Sequence, residues 1–528
     1  MVIFAFLLLS YVLLSVALYF VFVKAGEKGW KGLVPGLNFV VWARLIGRKP
    51  EYALLLLVPI VNIFIYAGMA IDMVRSFGKY GFWQAVWAVV YAPGYFLYLG
   101  LSSKERYIGP AITAEREFMR RLEEARAKND RKTLRKLMRH NPYQKSALRE
   151  WAEAIIFAVF AAAFIRMFLI EAYTIPTSSM EQTLLVGDFL FVSKVNYGIR
   201  TPQTVLMIPL LHNRIPWLNR ESYLSEPNIP FTRLPAVEQI DHNEIVVFNY
   251  PEGDSVYVFP QRTWSIHDFR RGAIPEPYAR AIRNGQVALV VRPIDKKDHY
   301  IKRCIGLPGD TLEVRDRQVY INGQPVKNPS KMQFLYRISP PNSINPRKLE
   351  SWGVNIQESN PTAGLFFLTA EQVEKIKALD PNIRVEVFSP NNPNPYHLFP
   401  HDPEHFPGWT MDNYGPVWIP KKGVTVKLTP ENIAMFRRVI TAYEHHTLEM
   451  RDGQFFIDGQ PTDTYTFEQD YYWMMGDNRH NSEDSRVWGF VPFDHVVGKP
   501  LFIWFSLKNG NLRDGIRWNR LFMSANQM

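Results

Sequence analysis

Residues 151–180 read WAEAIIFAVFAAAFIRMFLIEAYTIPTSSM, and this stretch decides how the chain is organised. Trp151 to Ile170 is an apolar run of the length that ~30 Å of hydrocarbon requires. Arg166 lies near its far end, where a long side chain can snorkel to the interface. Directly behind the run come Tyr173-Thr174-Ile175-Pro176-Thr177-Ser178-Ser179-Met180. A reactive serine there is tethered at the bilayer surface, and anything it acts on has to come to the membrane.

Working outward, three more uncharged runs precede this one. Val2 to Val23 has its first basic residue, Lys24, behind it rather than in front, so it reads as a retained span and not as a cleaved leader. Tyr52 to Ile71 and Tyr80 to Ser103 are each long enough to cross. Residues 24–51 carry six basic residues against Glu27 and Glu51, and residues 102–150 carry 14 Lys or Arg against 7 Asp or Glu. Positive loops stay in the cytoplasm, which places everything after about Tyr173 on the other side. The expected layout is three spans in 1–101, a basic cytoplasmic helical segment in 102–150 and a fourth span in 151–172.

The net charge of +11 is thus concentrated between apolar runs, the pattern of a membrane protein rather than of a nucleic-acid-binding face. Ala114 to Leu148 alternates charge at helical spacing and reads as a solvated helix hairpin. The one cysteine, Cys304, forbids an intramolecular disulfide and reads as a small packed residue.

From Phe189 the texture changes to short runs rich in branched and aromatic residues: Phe189–Val192, Ile245–Phe248, Val287–Val291, Gln318–Ile321 and Phe455–Ile457. Asn-Gly and Asp-Gly pairs separate several of them, which predicts a mainly antiparallel β domain. Thr311 to Pro325 (TLEVRDRQVYINGQP) recurs as Thr447 to Pro461 (TLEMRDGQFFIDGQP), each copy a predicted hairpin. Residues 316–444 read as a mixed α/β accessory insert. Within it Thr369-Ala-Glu-Gln372 is a capping-box helix start and Thr429-Pro430 another helix start. Ser389 to Trp409, rich in Pro and Asn, is an irregular loop. His397, His401 and His405 are four apart, but Pro395, Pro400, Pro403 and Pro407 forbid the helix that would join them on a metal. His445-His446 does not face one site easily.

Three separated segments carry the chemistry. The first is Pro176 to Met180, the second Tyr300-Ile-Lys-Arg-Cys-Ile-Gly-Leu-Pro-Gly-Asp310, the third Gly476-Asp-Asn-Arg-His-Asn-Ser-Glu-Asp-Ser-Arg486. Each alone has a dull explanation as a loop, a turn or a self-bonded polar cluster. Together, in this order and behind a membrane span, they resemble the bacterial type I signal peptidase family, membrane-bound Ser/Lys endopeptidases. Asn243-Glu-Ile-Val-Val-Phe248 resembles a further box of that family. The resemblance covers roughly 151–315 and 445–505.

It implies N-terminal transmembrane helices followed by an extracytoplasmic β-rich protease core of the signal-peptidase type, in 173–315 and 445–510. It implies Ser179 as nucleophile rather than Ser178, because Ser179 directly precedes Met180, and Lys302 as general base. Thr177 matches the hydroxyl that completes the oxyanion hole, and Ser482 the serine that orients the lysine. Asp477, Asn478, Asp484 and Arg486 match a supporting loop. Ile175, Met180, Leu184, Tyr300 and Ile301 match a shallow apolar substrate pocket. His480 departs from the aspartate common in the family, at a position peripheral to the chemistry. The implied substrates are exported preproteins with Ala-X-Ala-like cleavage sites, met at the lipid surface and near the secretion translocon, with no cofactor, no metal and no nucleic acid. The alternative reading is an inactive homologue that binds exported chains at the translocon.

The chemistry is coherent with ordinary acid–base rules. A serine hydroxyl needs a base within hydrogen-bond reach. A free lysine is cationic at neutral pH and cannot accept a proton, and burial disfavours the charged form. Tyr300, Ile301, Ile305 and Leu307 supply an apolar setting, and Arg303, next along a strand, points to the opposite face.

Overall fold

The computed structural model describes residues 2–58, 61–139, 141–211, 213–215, 218, 220–260, 262–389 and 396–526. The chain divides into two compact units, Met1–Ala158 and Val159–Met528.

In the first unit, α1 (Val2–Lys24) packs on α5 (Ala92–Leu101) around Leu18, Val21, Phe22, Trp42, Met69, Phe96 and Leu99. Lys24 Nζ donates to the carbonyls of Leu99, Ser102 and Glu105, closing the C-terminus of α5, where orphan carbonyls favour a cation. Among the described residues, two helices are long and apolar enough to cross a membrane: Ala5–Lys24 and α8, Ala147–Phe168. The other two apolar runs are not single helices. Tyr52–Ile71 divides into a 3-10 helix, Pro50–Leu57, and α3, Val61–Arg75; residues 59 and 60 lie outside the described residues. Tyr80–Ser103 divides at Tyr91 into α4 (Phe82–Val90) and α5, because Pro93 lacks an N–H and its ring clashes with the preceding turn. The basic segment forms a hairpin of α6 (Ala111–Ala127) and α7 (Arg131–Arg139).

In the second unit, α8 ends at Phe168, and Ile170–Thr174 is already strand. The expected span to residue 172 is therefore shorter, and Arg166 pairs with Glu171 just behind it at 2.7 Å. A seven-stranded sheet runs in the order 170–174, 188–193, 496–506, 245–249, 299–306, 471–475, 491–492. Every strand pairing is antiparallel, including Val246 opposite Lys302.

The two repeat copies take the same register: Leu312↔Ile321 to Arg315↔Gln318, and Leu448↔Ile457 to Arg451↔Gln454. Both turns of each copy have positive φ, at Asp316-Arg317, Asn322-Gly323, Asp452-Gly453 and Asp458-Gly459, the conformation that suits strand twist. Arg317 holds it without being glycine, its N–H donating to Asp412 C=O at 2.8 Å.

Residues 316–444 do not share one core. Strands 333–339, 365–369 and 384–387 with helix Ala370–Lys377 close around Ile338, Leu349, Phe366, Leu368 and Ile376. The remainder joins the core of Leu312, Tyr414, Ile440, Phe455, Tyr471 and Trp473. Thr369 and Gln372 exchange the expected capping-box bonds. The second predicted helix runs over Ile433–Arg438 instead of opening at Pro430, with Thr429 and Asn432 capping the turn before it. Of the Pro/Asn-rich stretch, residues 390–395, Pro395 among them, lie outside the described residues, and 396–409 form irregular turns. Cys304 is buried and free.

Candidate active site

Ser179 sits in the connection between the paired strands 170–174 and 188–193. The neck of that loop is closed by reciprocal backbone bonds, Ile175 N–H to Asp188 C=O and Gly187 N–H to Ile175 C=O. Behind the neck, Asp188 is buried against Arg520 and Ser506, a pairing 332 residues apart in sequence for Arg520. Ser178–Met180 form a single 3-10 turn with Thr177 as its N-cap in extended conformation.

Lys302 lies on the inner strand 299–306, 3% exposed. Its Nζ is 2.7 Å from Ser179 Oγ and also donates to Ile301 C=O at 3.1 Å. Burial lowers its ammonium to about 8, against the upward pull of Asp484, Glu483 and Asp477. Arg303 does face the other way: it forks onto Asp477 at 2.8 and 2.6 Å and reaches Asn243 C=O at 2.7 Å.

The strand 471–475 runs beside 299–306, Met475 opposite Arg303, and delivers the loop Gly476–Arg486 to the serine. Gly476 has to be glycine: a Cβ there would lie 2.6 Å from Ser179 C=O and 2.2 Å from Ser482 Oγ. Asn478 holds the serine turn, its N–H on Ser179 C=O at 3.1 Å and its side-chain amide on Ser178 C=O at 3.2 Å. Asn481 donates to Ser178 Oγ at 3.0 Å. Asp484 accepts from Gly476 N–H and takes a fork from Arg486, both buried, and Arg486 also closes the loop onto Arg479 C=O. Ser482 is buried beside Gly476, but its hydroxyl has no hydrogen-bond partner, and Lys302 is oriented by Ser179 and Ile301 instead.

Of the pocket candidates, Ile175, Met180, Leu184 and Ile301 meet in one apolar cluster with Ile245 and Val247. Tyr300 lies on the other face of the strand from Ile301, the face it shares with Lys302, whose Nζ stands 5.5 Å from its ring, and it stacks on Tyr250 at 4.6 Å.

Sequence reading missed several partners. Thr183 Oγ1 donates to Asp477 at 2.6 Å, and Arg262 forks onto Glu483 at 3.0 and 2.8 Å while lying over the Trp264 ring. Burial pushes the Glu181 carboxyl, two residues past the serine, up to about 7. Each depends on residues far apart in sequence, and the only local hint was the adjacency of Glu181 and Glu483 to the motifs.

The family model for signal peptidase, peptidase S26, matches residues 148–360 and 442–505, just over half of the chain. The chain belongs to this family. Membership makes it a serine endopeptidase that removes signal peptides. A signal peptidase I of Helicobacter pylori is 24% identical over 386 residues, 71% of this chain and 91% of that protein. A signal peptidase I of Buchnera aphidicola is 25% identical over 373 residues, 70% and 79% of the two chains. One from Haemophilus influenzae is 24% identical over 371 residues, 70% and 73%. Residues 30–110 match a second family model, a family of unknown function (DUF5684).

Proposed function

We propose that this chain is a multi-pass membrane signal peptidase I whose β unit works outside the cytoplasm, with Ser179 as nucleophile and Lys302 as base. The observation that carries the reading is the 2.7 Å approach of a buried lysine, its ammonium lowered to about 8, to a serine hydroxyl. The unprotonated amine takes the proton of Ser179 as Oγ bonds to the scissile carbonyl carbon. The Ser179 N–H and the Thr177 hydroxyl hold the oxyanion. The C–N bond then breaks, and Lys302 returns the proton to the leaving amine, which is the N-terminus of the mature protein. The signal peptide stays esterified to Ser179 until water, deprotonated by Lys302, attacks the ester carbonyl; the bond to Ser179 Oγ breaks, Oγ takes the proton back from Lys302, and the signal peptide leaves with a C-terminal carboxyl group.

Substrates are exported preproteins with small residues of the Ala-X-Ala kind before the cut. The apolar cluster of Ile175, Met180, Leu184 and Ile301 supports an apolar surrounding for small side chains there. The apolar helices Ala5–Lys24 and Ala147–Phe168 support attachment to the bilayer, and the basic loops support a cytoplasmic 24–51 and 102–150. Lipid contact and proximity to the secretion translocon follow from that placement.

The test is processing of a preprotein by the purified chain in detergent, with N-terminal sequencing of the products. Cleavage after small residues, lost in both Ser179→Ala and Lys302→Ala, is the expected outcome. Full activity in either variant removes the dyad.

A further inference from the structure

The family match is interrupted at residues 361–441, yet part of that interruption grips the catalytic loop. The grip is at His480. The imidazole ring is fully buried. Leu335 N–H donates to its Nδ1 at 3.2 Å, so the ring proton sits on Nε2, which lies 2.7 Å from Asp412 Oδ1. Phe334 stands edge-on to the ring at 5.1 Å. One residue before these, Gln333 forms a parallel bridge with Asn478: its N–H donates to Asp477 C=O and its carbonyl accepts Arg479 N–H, both at 2.9 Å. Asp412 lies within the unmatched stretch and takes a second hydrogen bond from Ser389. Burial raises its carboxyl, but the bonds from His480 and Ser389 outweigh that and hold it below its usual range.

His480 stands between Asn478 and Asn481, the two residues that fix the serine turn. We propose that His480 is a positioning residue through which Asp412 and the strand 333–339 set the catalytic loop. An aspartate at this position could still accept from Leu335 N–H, but it would face Asp412 with like charge and with no proton to donate. The interruption of the family fold is then part of the active-site scaffold. A shift of the loop by a fraction of an ångström moves Asn478 and Asn481, and with them Ser178 and Ser179.

The inference rests on the Ser179–Lys302 reading, and the experiment separates the two. The full chain in detergent is assayed on a signal-peptide substrate for kcat and KM, with Tm measured beside them. His480→Asp is expected to lower kcat about 10- to 100-fold, with KM changed less than about threefold, the scale of a small misplacement at a reacting centre. Adding Asp412→Asn supplies an amide donor for the new carboxylate and is expected to restore kcat to within about fivefold of the starting chain. His480→Asn offers both an acceptor and an amide donor on a shorter side chain, and is expected to fall between. Unchanged kcat in His480→Asp with only a lower Tm overturns the positioning role, as does a loss of kcat that Asp412→Asn leaves uncorrected. If Ser179→Ala cleaves normally, the dyad itself has failed; if it is dead while His480→Asp is unaffected, only the positioning role has.

Discussion

Two lysines five residues apart, Lys297 and Lys302, look alike by every local measure. Both are buried, and burial lowers both ammonium groups to about 8. Their neighbours differ. Lys302 meets the hydroxyl of Ser179 at 2.7 Å, a group with a proton to give. Lys297 meets His495 Nε2 at 2.9 Å and Pro251 C=O at 3.4 Å. His495 places its other nitrogen against Asp494, and burial together with the charge of Lys297 pushes its imidazole down to about 4. Lys297 therefore donates to acceptors and ties the turn at Pro251 to the 3-10 helix Phe493–His495. A lowered lysine does not identify a base; a hydroxyl within reach of it does.

Substituting each lysine breaks the comparison most directly. Lys302→Met should lower kcat/KM by at least about 10³-fold, the upper range of general-base contributions, while the fold persists. Lys297→Met should leave kcat/KM within about tenfold but strand a buried imidazole nitrogen and a carbonyl, costing about 1–3 kcal/mol for an unpaired buried group. Cleavage assays and thermal melts of the two variants check this, and the opposite pattern would exchange their roles.

Thr177→Val comes next. It keeps the shape and removes a hydroxyl, and kcat should fall about 10²- to 10³-fold while Thr177→Ser stays near the starting value. Steady-state kinetics on a signal-peptide substrate decide it.

A stability measurement over pH sharpens the contrast. Between about pH 8 and 10.5 the unfolded chain keeps the Lys302 proton and the folded chain does not, so stability rises with pH across that window. Below it the burial penalty is fully present. Lys302→Met should therefore melt higher than the starting chain at pH 7, with the gap closing towards pH 10.5. A gap independent of pH would mean that Lys302 is not perturbed.

The smallest effect concerns the surface pair beside the base. Glu483 raises Lys302, and Arg262 is bonded to Glu483. The acidic limb of kcat/KM, set by a lysine near 8, should move down in Glu483→Gln and up in Arg262→Gln. Each shift should be roughly 0.2–0.7 pH unit, as for a screened exposed ion pair. Identical pH profiles would uncouple the pair from the base.

Local features were legible because their physics is local. The Asn-Gly and Asp-Gly pairs fix the repeat hairpins, the Thr369 and Gln372 spacing fixes a cap, and short branched and aromatic runs mark strands such as Gln318–Ile321. The motif residues Ser179 and Lys302, 123 apart, were found by resemblance, not by periodicity. Apolar length was a poorer guide in the N-terminal unit. It detected Val2–Lys24 and most of Ala147–Phe168, but it could not see that the other two runs divide, one of them at a proline.

Sequence by itself determined the family motifs, the turn chemistry and the apolar segments, since propensity, φ preference and hydropathy act between near neighbours. Only the tertiary structure decided which carboxylate meets which cation: Arg303 on Asp477, His480 on Asp412, Arg520 on Asp188. It also separated a lysine beside a hydroxyl from one beside an imidazole. Charge pairing and desolvation depend on distance and burial, and those quantities arise only when the sheet brings remote strands together.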